Sequence, residues 1–561
     1  LKWWQAVLLG GILLAAAALR FTGLDWDDYH HYHPDERYIT WIATTIEWPP
    51  AGTPFWDPAG STFNPFYWPE NASSAGIEVL QGEPRSYAYG HLPLYLGVAV
   101  TRLAEWAAPG LSRFFPADAF FTQDILNAAG QIEFRHLTVV ARALTALVDV
   151  LTVFLVFWVG RQLFGPGAGL LAAAFLAFNV MHIQLAHFFI VDPFLTFFTV
   201  AAVGSMVAAA RPGRGRSAQI WLVVAAIGIG LAMGSKFSAA LLVLPLAIAL
   251  WVGPAVSRRR FLGSLLGLGA LAGLTFVLTN PFAVLDWNCA AVLPARTLGS
   301  LRIPEINFGS CYLENIVRQG LMVQGDLDAP FTRQYNGTLP YLYFVEMQMR
   351  WGMGLPLGIA AFVGFGWAVW RGLRAVGRRA QEWQRGEREK RWADYLPAGE
   401  WILLAWTVPY FLTTGSFFAK FMRYMQPLTP FLMIYAAGML LRWKQPWLRR
   451  VAVASTLAFT ALYALAFVSM YEQEHPWTAA SAWIFENIPP EAVIVSELWD
   501  QTLPTSGEVD GEFRSRLDYD LQEFTWLERA AEGRQREQLT TQLQQLADAD
   551  LVVIASNRVY G

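Results

Sequence analysis

The sequence predicts a mainly α, polytopic membrane protein of about eleven transmembrane helices. Long external loops carry interfacial helices, and a small α/β domain closes the chain. Three observations predict it. The 561-residue chain is 55% hydrophobic and only 15% charged, with mean hydropathy +0.32, whereas soluble domains carry about 25% charged residues. Apolar runs recur at lengths that suit a hydrocarbon core of about 30 Å. Cations gather in short loops between those runs, and the composition turns polar after Met470. The net charge of −3 says nothing about nucleic acid by itself, but no basic stripe interleaved with aromatics is present and no nucleic-acid partner is expected.

The first apolar run, residues 3–20, lacks a small-residue cleavage site and reads as a retained anchor. Further spans are expected at 136–160, 168–186, 193–210, 218–234, 236–252, 262–279, 352–371, 400–416, 425–441 and 451–470. Four basic segments, at 211–216, 258–260, 371–391 and 442–450, orient them by the positive-inside rule. Eleven spans, with the N-terminus inside and the C-terminus outside, place all four in the cytoplasm. Residues 92–108 are apolar too, but they carry Arg102 and Glu105, and a span there would put each later basic loop outside. That segment is expected as an amphipathic helix at the outer interface, within a first external loop over 21–135. A second external loop covers 280–351.

Residues 1–471 thus form a transmembrane domain and 472–561 an extracytoplasmic α/β domain that is incomplete at its end. Strands are expected at 491–497 and 550–555 and a charged helix at 525–548. Because the chain opens on Leu1, the native protein is expected to extend at one or both ends.

The stretch from His30 to Tyr38 follows the first span directly. Pro34 suits the first helical position, with Asp35 and Glu36 in the first turn and the helix running to about Glu47. Such carboxylates also simply complement the helix dipole, worth about 0.3–1 kcal/mol. The same external side receives Tyr89 and His91, Arg142 near the outer end of the second span, and His182 and His187 at the end of the third. Asp192 opens the fourth span, Lys236 lies between the fifth and sixth, and Lys420, Arg423 and Tyr424 lie between the ninth and tenth.

Ionisable groups within spans are costly and usually face a cavity or a partner. A transporter would place them near the midplane, often on an internal repeat, and no repeat is found. Isolated cations beside spans suit a lipid phosphate, Arg through its fork and Lys as a point charge. The plainer alternative is that Lys236 and Arg423 snorkel to headgroups. A lone His such as His182 is more often a packed polar residue than a ligand. The cluster of His30, His31 and His33 with Asp35 could bind a divalent cation, although its spacing matches no strong zinc signature; Asp35, Asp192 and His33 are the candidate ligands. Cys289 and Cys311 share the second external loop and suggest a disulfide, the alternative being two unrelated thiols.

Several of these segments carry a family resemblance. HPDERY (33–38), YGHLPLYL (89–96), ARALTALVDVLTVFLVFWVGRQLFG (141–165), AHFFIVDPFLTFF (186–198), GSKFSAALLVLP (234–245) and KFMRYMQPLTPFL (420–432) resemble motifs of the GT-C superfamily of polytopic glycosyltransferases. The likeness, in order and sidedness, is to the protein O-mannosyltransferase and aminoarabinose transferase branch. RQYNGTLPYLY (333–343) and EHPWTAASAWIFENIPP (474–490) resemble segments of bacterial lipid-carrier-dependent glycosyltransferases. The chain departs at His91-Leu92, where many relatives carry a basic residue before the Pro, and the tail after 472 matches no characterised branch.

The resemblance implies a GT-C-like bundle in the bacterial cytoplasmic (inner) membrane, with an extracytoplasmic active site. It implies an inverting hexosyl- or pentosyltransferase that moves a sugar from a polyprenyl-phosphate donor to a protein, lipid or glycan acceptor. Asp35 would be the general base, Glu36 would orient the acceptor or hold the loop, and Asp192 would position the acceptor or a cation. Arg423 and Lys236, with His91 and Arg142, would bind the donor phosphate; His33, His187, Tyr89 and Tyr424 would line the acceptor pocket. The alternative is a non-catalytic GT-C-like scaffold in an envelope assembly, which has no need to keep Asp35, Asp192, Lys236 and Arg423 on one side. A flippase, the third reading, requires a polar path into the cytoplasmic half.

Overall fold

The structure is a computed structural model. It describes residues 2–49, 51–58, 60–68, 85–111, 134–213, 215–253, 257–289, 291–293, 295–298, 301–387, 390–497, 501–524 and 533–555. The beginning of the expected 525–548 helix, Arg214, Arg388 and part of the first external loop lie outside the described residues.

Each of the eleven apolar segments is helical. In chain order the helices are α1 (Trp3–Phe21), α2 (Pro34–Thr44), α3 (His91–Leu111), α4 (Phe134–Phe164), α5 (Pro166–Ala177), α6 (Val180–Ala186), α7 (Val191–Ala209), α8 (Arg216–Ser235), α9 (Val243–Val252), α10 (Phe261–Thr279), α11 (Cys311–Gln324) and α12 (Leu342–Met347). They continue with α13 (Leu355–Gln384), α14 (Trp392–Tyr395), α15 (Ala398–Gly415), α16 (Thr429–Leu440), α17 (Pro446–Val468), α18 (Pro476–Asn487) and α19 (Gln535–Asp548). Among the described residues, seven helices are long and apolar enough to cross a membrane, and the bent pair α5–α6 makes an eighth. Helix α3 is not one of them; it packs on α4 and α8.

Two spans differ from straight helices. The third bends by 58° between α5 and α6, because Asn179 starts a new helix by accepting a hydrogen bond from the His182 amide. Arg20 at the end of α1 reaches two carbonyls at the bend: its guanidinium donates to Leu176 O at 3.1 Å and Ala177 O at 2.9 Å. The same guanidinium is held by Asp149 of α4 at 2.6 Å, and Asp149 also contacts His182 Nδ1 at 2.7 Å. All three side chains are fully buried. The sixth span also departs from a straight helix, since Lys236 is extended and a 3-10 turn over 237–242 precedes α9.

The main core joins α4, α5, α7, α13, α15 and α16 around Phe157, Phe175, Trp406, Phe431 and Tyr435. A second cluster packs Ile39, Ile42 and Ala43 of α2 against Phe66, Tyr87, Leu94, Phe189 and Phe194. The i, i+3, i+4 spacing of the α2 residues makes one buried stripe and fixes how Asp35 is presented. Helix α2 stops at Thr44 rather than near Glu47. Thr44 and Thr45 there hydrogen-bond back to Trp41 O and Ile42 O, and Pro49-Pro50 follow.

Helix connectivity sets the four basic segments at the end of the bundle opposite Asp35. After α17 comes the small domain, with strands β1 (Val493–Glu497), β2 (Asp520–Phe524) and β3 (Leu551–Val553) in a parallel sheet of order β2-β1-β3. Ile484, Ala492, Ile494, Leu503 and Tyr519 form its core. It rests on the loop before α2: the Tyr32 hydroxyl lies 3.1 Å from Thr478 Oγ and 3.2 Å from Thr505 Oγ, and Arg37 donates to Gln501 Oε1 at 3.1 Å.

Candidate active site

The loop from Thr22 to His33 is tightly wound, with Asp28, Tyr29 and His31 all at positive φ (47°, 64° and 54°). A non-glycine residue in that region costs about 1–3 kcal/mol and persists where its surroundings over-determine it. Arg142 of α4 is what does so. It donates to Glu36 through Nε at 2.8 Å and Nη2 at 2.7 Å, to Asp27 at 3.0 and 2.8 Å, and to Leu24 O at 2.7 Å. The Phe189 amide donates to Glu36 Oε1 at 2.7 Å. Arg142, Asp27 and Glu36 are wholly buried. His33 closes the loop as the N-cap of α2, its Nδ1 accepting from the Glu36 amide at 3.3 Å, while its ring stacks on Phe188 at 4.3 Å.

With Glu36 turned inward, Asp35 on the next position stays partly open. Its carboxylate is ion-paired with Arg423 and accepts a hydrogen bond from Tyr89. Burial pushes the Asp35 carboxyl up, but Arg423, together with Lys236 and the Tyr89 hydroxyl, outweighs it and holds the group below the usual carboxylate range. Beside this pair, Lys236 Nζ contacts Asp192 Oδ1 at 2.8 Å and sits 5.0 Å from the centre of the Tyr424 ring. Arg423 feels Asp35, Tyr89, Tyr424 and Asp192 together, and they raise its pKa against the effect of burial. Burial, with Arg423 and Arg142 nearby, brings the His33 imidazole down to about 4, so the ring is neutral at pH 7.

Two close approaches assemble this cluster. Gly90 donates its amide to Ser235 O at 3.0 Å, and a Cβ there would lie 2.0 Å from Gly234 O. Only glycine lets the Tyr89 segment meet the Lys236 turn. On the other side, Gln348 Nε2 donates to Met422 O at 3.0 Å and Tyr410 donates to Tyr424 O at 2.9 Å, fixing the Arg423 turn.

Asp35, Asp192, Lys236, Arg423, Tyr89, Tyr424 and His33 therefore gather in one place. Four other expected site residues do not join them. Arg142 has its guanidinium filled by two carboxylates and a carbonyl, which leaves no fork for a donor phosphate. Glu36 is its buried partner. His91 is fully buried in an aromatic box of Phe66, Tyr87, Tyr95 and Tyr312, with neither ring nitrogen hydrogen-bonded; burial alone brings it down to about 3. It is packed away from any phosphate. The His187 ring lies between Ile183 O and Thr22 O at 2.7 and 2.8 Å and stacks on Tyr471 at 3.8 Å, which leaves no ring nitrogen for an acceptor.

Asp35, Asp192 and His33 do not fit a divalent cation. Each carboxylate already holds a cationic side chain, His33 Nδ1 caps α2, and among the described residues no three His, Cys, Asp or Glu gather as ligands. Cys289 and Cys311 are joined as a disulfide. Asp27, Arg20 and Asp149 were absent from the expected site residues. Arg20 and Asp149 do carry a signal, since ionisable side chains in apolar runs call for a partner.

The sequence model of the dolichyl-phosphate-mannose-protein mannosyltransferase family matches residues 115–284, less than half of the chain but including Asp192 and Lys236. No curated protein matches the sequence. Among solved structures, the archaeal oligosaccharyltransferase AglB from Archaeoglobus fulgidus, in complex with an inhibitory peptide and a dolichol-phosphate, is 16% identical with a TM-score of 0.46, over 89% of this chain and 63% of that one. The chain thus spans less than two thirds of that relative's length. ArnT from Cupriavidus metallidurans, bound to undecaprenyl phosphate, is 14% identical with a TM-score of 0.46, over 97% of this chain and 88% of that one. At this level of likeness neither neighbour assigns a residue or ligand to this chain.

The fold and site define a polytopic helical membrane protein with an acid–cation cluster at one end of its bundle. Over residues 115–284 its sequence resembles the dolichyl-phosphate-mannose-protein mannosyltransferase family.

Proposed function

We propose that this chain is an inverting glycosyltransferase that moves a hexosyl or pentosyl group from a polyprenyl-phosphate donor to an acceptor hydroxyl or amine. The proposed setting is the outer face of a bacterial cytoplasmic membrane, with a protein, lipid or glycan as acceptor. One observation carries this reading: Asp35 with Arg423 and Asp192 with Lys236 form adjacent acid–cation pairs, screened from bulk water yet partly open. The family match over the segment containing Asp192 and Lys236 supports the donor class.

In the proposed step the acceptor oxygen or nitrogen attacks the anomeric carbon from the face opposite the phosphate and passes its proton to Asp35. The bond from the anomeric carbon to the phosphate oxygen breaks, and polyprenyl phosphate leaves with the electron pair. A positioned carboxylate base contributes typically 10²–10⁴-fold. Negative charge grows on the leaving phosphate, where Arg423 and Lys236 stabilise it most in the transition state.

The ion pairs give this sequence an order. While Arg423 holds Asp35 the carboxylate is ionised but weakly basic. A donor phosphate that draws the guanidinium toward itself raises the Asp35 pKa and so strengthens the base when substrate is present. Asp192, anchored by Lys236, positions the acceptor beside it. Transfer from a radiolabelled lipid-linked sugar by wild type and Asp35→Asn tests the reading. The variant is expected to stay monodisperse in detergent and lose at least about 100-fold in turnover; near-wild-type turnover removes Asp35 as the base and the reading with it.

A further inference from the structure

A second feature lies at the other end of the bundle. Helix α13 begins at Leu355, beside the π-helical turn over Gln348–Gly352 that supports the Arg423 turn. At 1.5 Å per residue, Arg379 is about 36 Å further along it, a full membrane thickness from the Asp35 cluster. There a cleft of about 350 Å³ is lined by Trp251 at the end of α9, Val376, Arg379, Ala380 and Trp383 of α13, and Trp392 of α14.

Its walls are apolar and aromatic, with one cation among them. The Arg379 guanidinium lies 5.6 Å from the Trp383 ring centre and 5.8 Å from those of Trp392 and Tyr395. Among the described residues its hydrogen bond goes to Lys390 O, which leaves other N–H groups of the fork unused. Between 371 and 397 the chain carries eight Lys and Arg against four Asp and Glu. Three of those acids are engaged locally, Glu382 by Lys390 and Tyr395, Glu387 by Lys390 at 4.0 Å and Asp394 by the Arg391 amide. Arg259 and Arg260 lie a short way beyond Trp251.

We infer that this cleft binds the headgroup of an anionic phospholipid. Three tryptophans around a cleft at the end of membrane-spanning helices suit the headgroup level of a bilayer. A guanidinium with unused donors suits a phosphodiester oxygen, and the surplus of cations matches the charge of an acidic lipid rather than a zwitterionic one. The apolar face of Val376, Ala380 and Trp251 takes the glycerol and the start of the acyl chains. The site stands a membrane thickness from Asp35, so it is distinct from the proposed donor site and does not depend on that reading.

The test is native mass spectrometry of the purified full chain, titrated with phosphatidylglycerol or phosphatidylcholine of the same acyl composition. Wild type is expected to retain phosphatidylglycerol about fivefold or more over phosphatidylcholine, the weight of one cation beside an anionic headgroup. Arg379→Ala is expected to bring that ratio close to one, while Arg450→Ala, on a different basic segment, leaves it unchanged. Glycerol phosphate, the free headgroup, is expected not to displace the lipid. Equal retention of the two lipids by wild type, an unchanged ratio in Arg379→Ala, or displacement by glycerol phosphate overturns the inference. Should Arg379→Ala fail to fold, Arg379→Gln, which removes the charge and keeps most of the side chain, is expected to lower the ratio in the same way, and an unchanged ratio there overturns the inference equally. Turnover is not measured, so the outcome does not bear on the transferase reading.

Discussion

Arg423 is ion-paired with Asp35, so the last cation of the site and its first carboxylate hold each other in place. The pair makes a prediction about pH. Removing the guanidinium takes away the largest influence holding the Asp35 carboxyl low, so its pKa rises. In the proposed step the Asp35 carboxylate acts in its ionised form, so the acid limb of the kcat/KM profile is expected at higher pH in Arg423→Ala than in wild type. Donor KM should rise as well. An acid limb in the same place, measured with lipid-linked donor between pH 4 and 8, excludes the pairing from the reaction.

Arg142 makes a structural prediction rather than a kinetic one. Arg142→Ala leaves Asp27 and Glu36 buried without a cation, a change that typically costs about 3–5 kcal/mol. A large drop in melting temperature is expected, whereas Arg142→Lys, which keeps the charge, should fold and show a donor KM close to wild type. A raised donor KM in Arg142→Lys with unchanged melting would restore Arg142 to the phosphate.

Three buried imidazoles tie stability to pH. His31 and His33 are brought down to about 4 and His91 to about 3, in each case chiefly by burial. An unfolded histidine titrates near 6.5, so below that pH the unfolded chain takes up protons that the folded one does not. Stability therefore rises with pH between about 4 and 6.5 and is lost on acidification through that window. Melting temperature is expected to fall from pH 7.5 to pH 5, and His91→Phe, which suits its aromatic box, should make the fall shallower. A melting temperature that does not change over this range would contradict the assignment.

The Cys289–Cys311 bridge closes a loop with a sequence separation of 22, for which chain entropy alone suggests about 3 kcal/mol. Unreduced, denatured protein is expected to take up no thiol label, and reduction should expose two thiols and lower the melting temperature. Two labelled thiols without reductant would dismiss the bridge.

The parts of the site that can be read in the sequence are those the bilayer makes conspicuous. Asp35, Asp192, Lys236 and Arg423 stand out because a charge beside apolar runs is costly, and alternation of the spans puts all four at one end. The partners are harder to read. Arg142 and Glu36 look like site residues by the same logic, but the left-handed turns at Asp28, Tyr29 and His31 bring Asp27 beneath them and close the group on itself. His91 sits in a motif-like setting, and only packing shows that Phe66, Tyr87, Tyr95 and Tyr312 enclose it. The break at Asn179 stays hidden because apolar composition runs through 168–186, whereas Lys236 itself marks the boundary between the fifth and sixth spans. Arg20 and Asp149 are visible as charges in apolar runs, but their pairing escapes a reading of sequence because it has to be matched with a break that hydropathy does not register.

Arg20 gives its guanidinium to the two carbonyls at the elbow of the third span and is itself pinned by Asp149. An elbow left bare in hydrocarbon would swivel in search of partners; this one is bolted. The floor under the wound loop is thus a fixed anvil, and in the proposed reaction the moving part is the lipid-borne reactant rather than the helices beneath it.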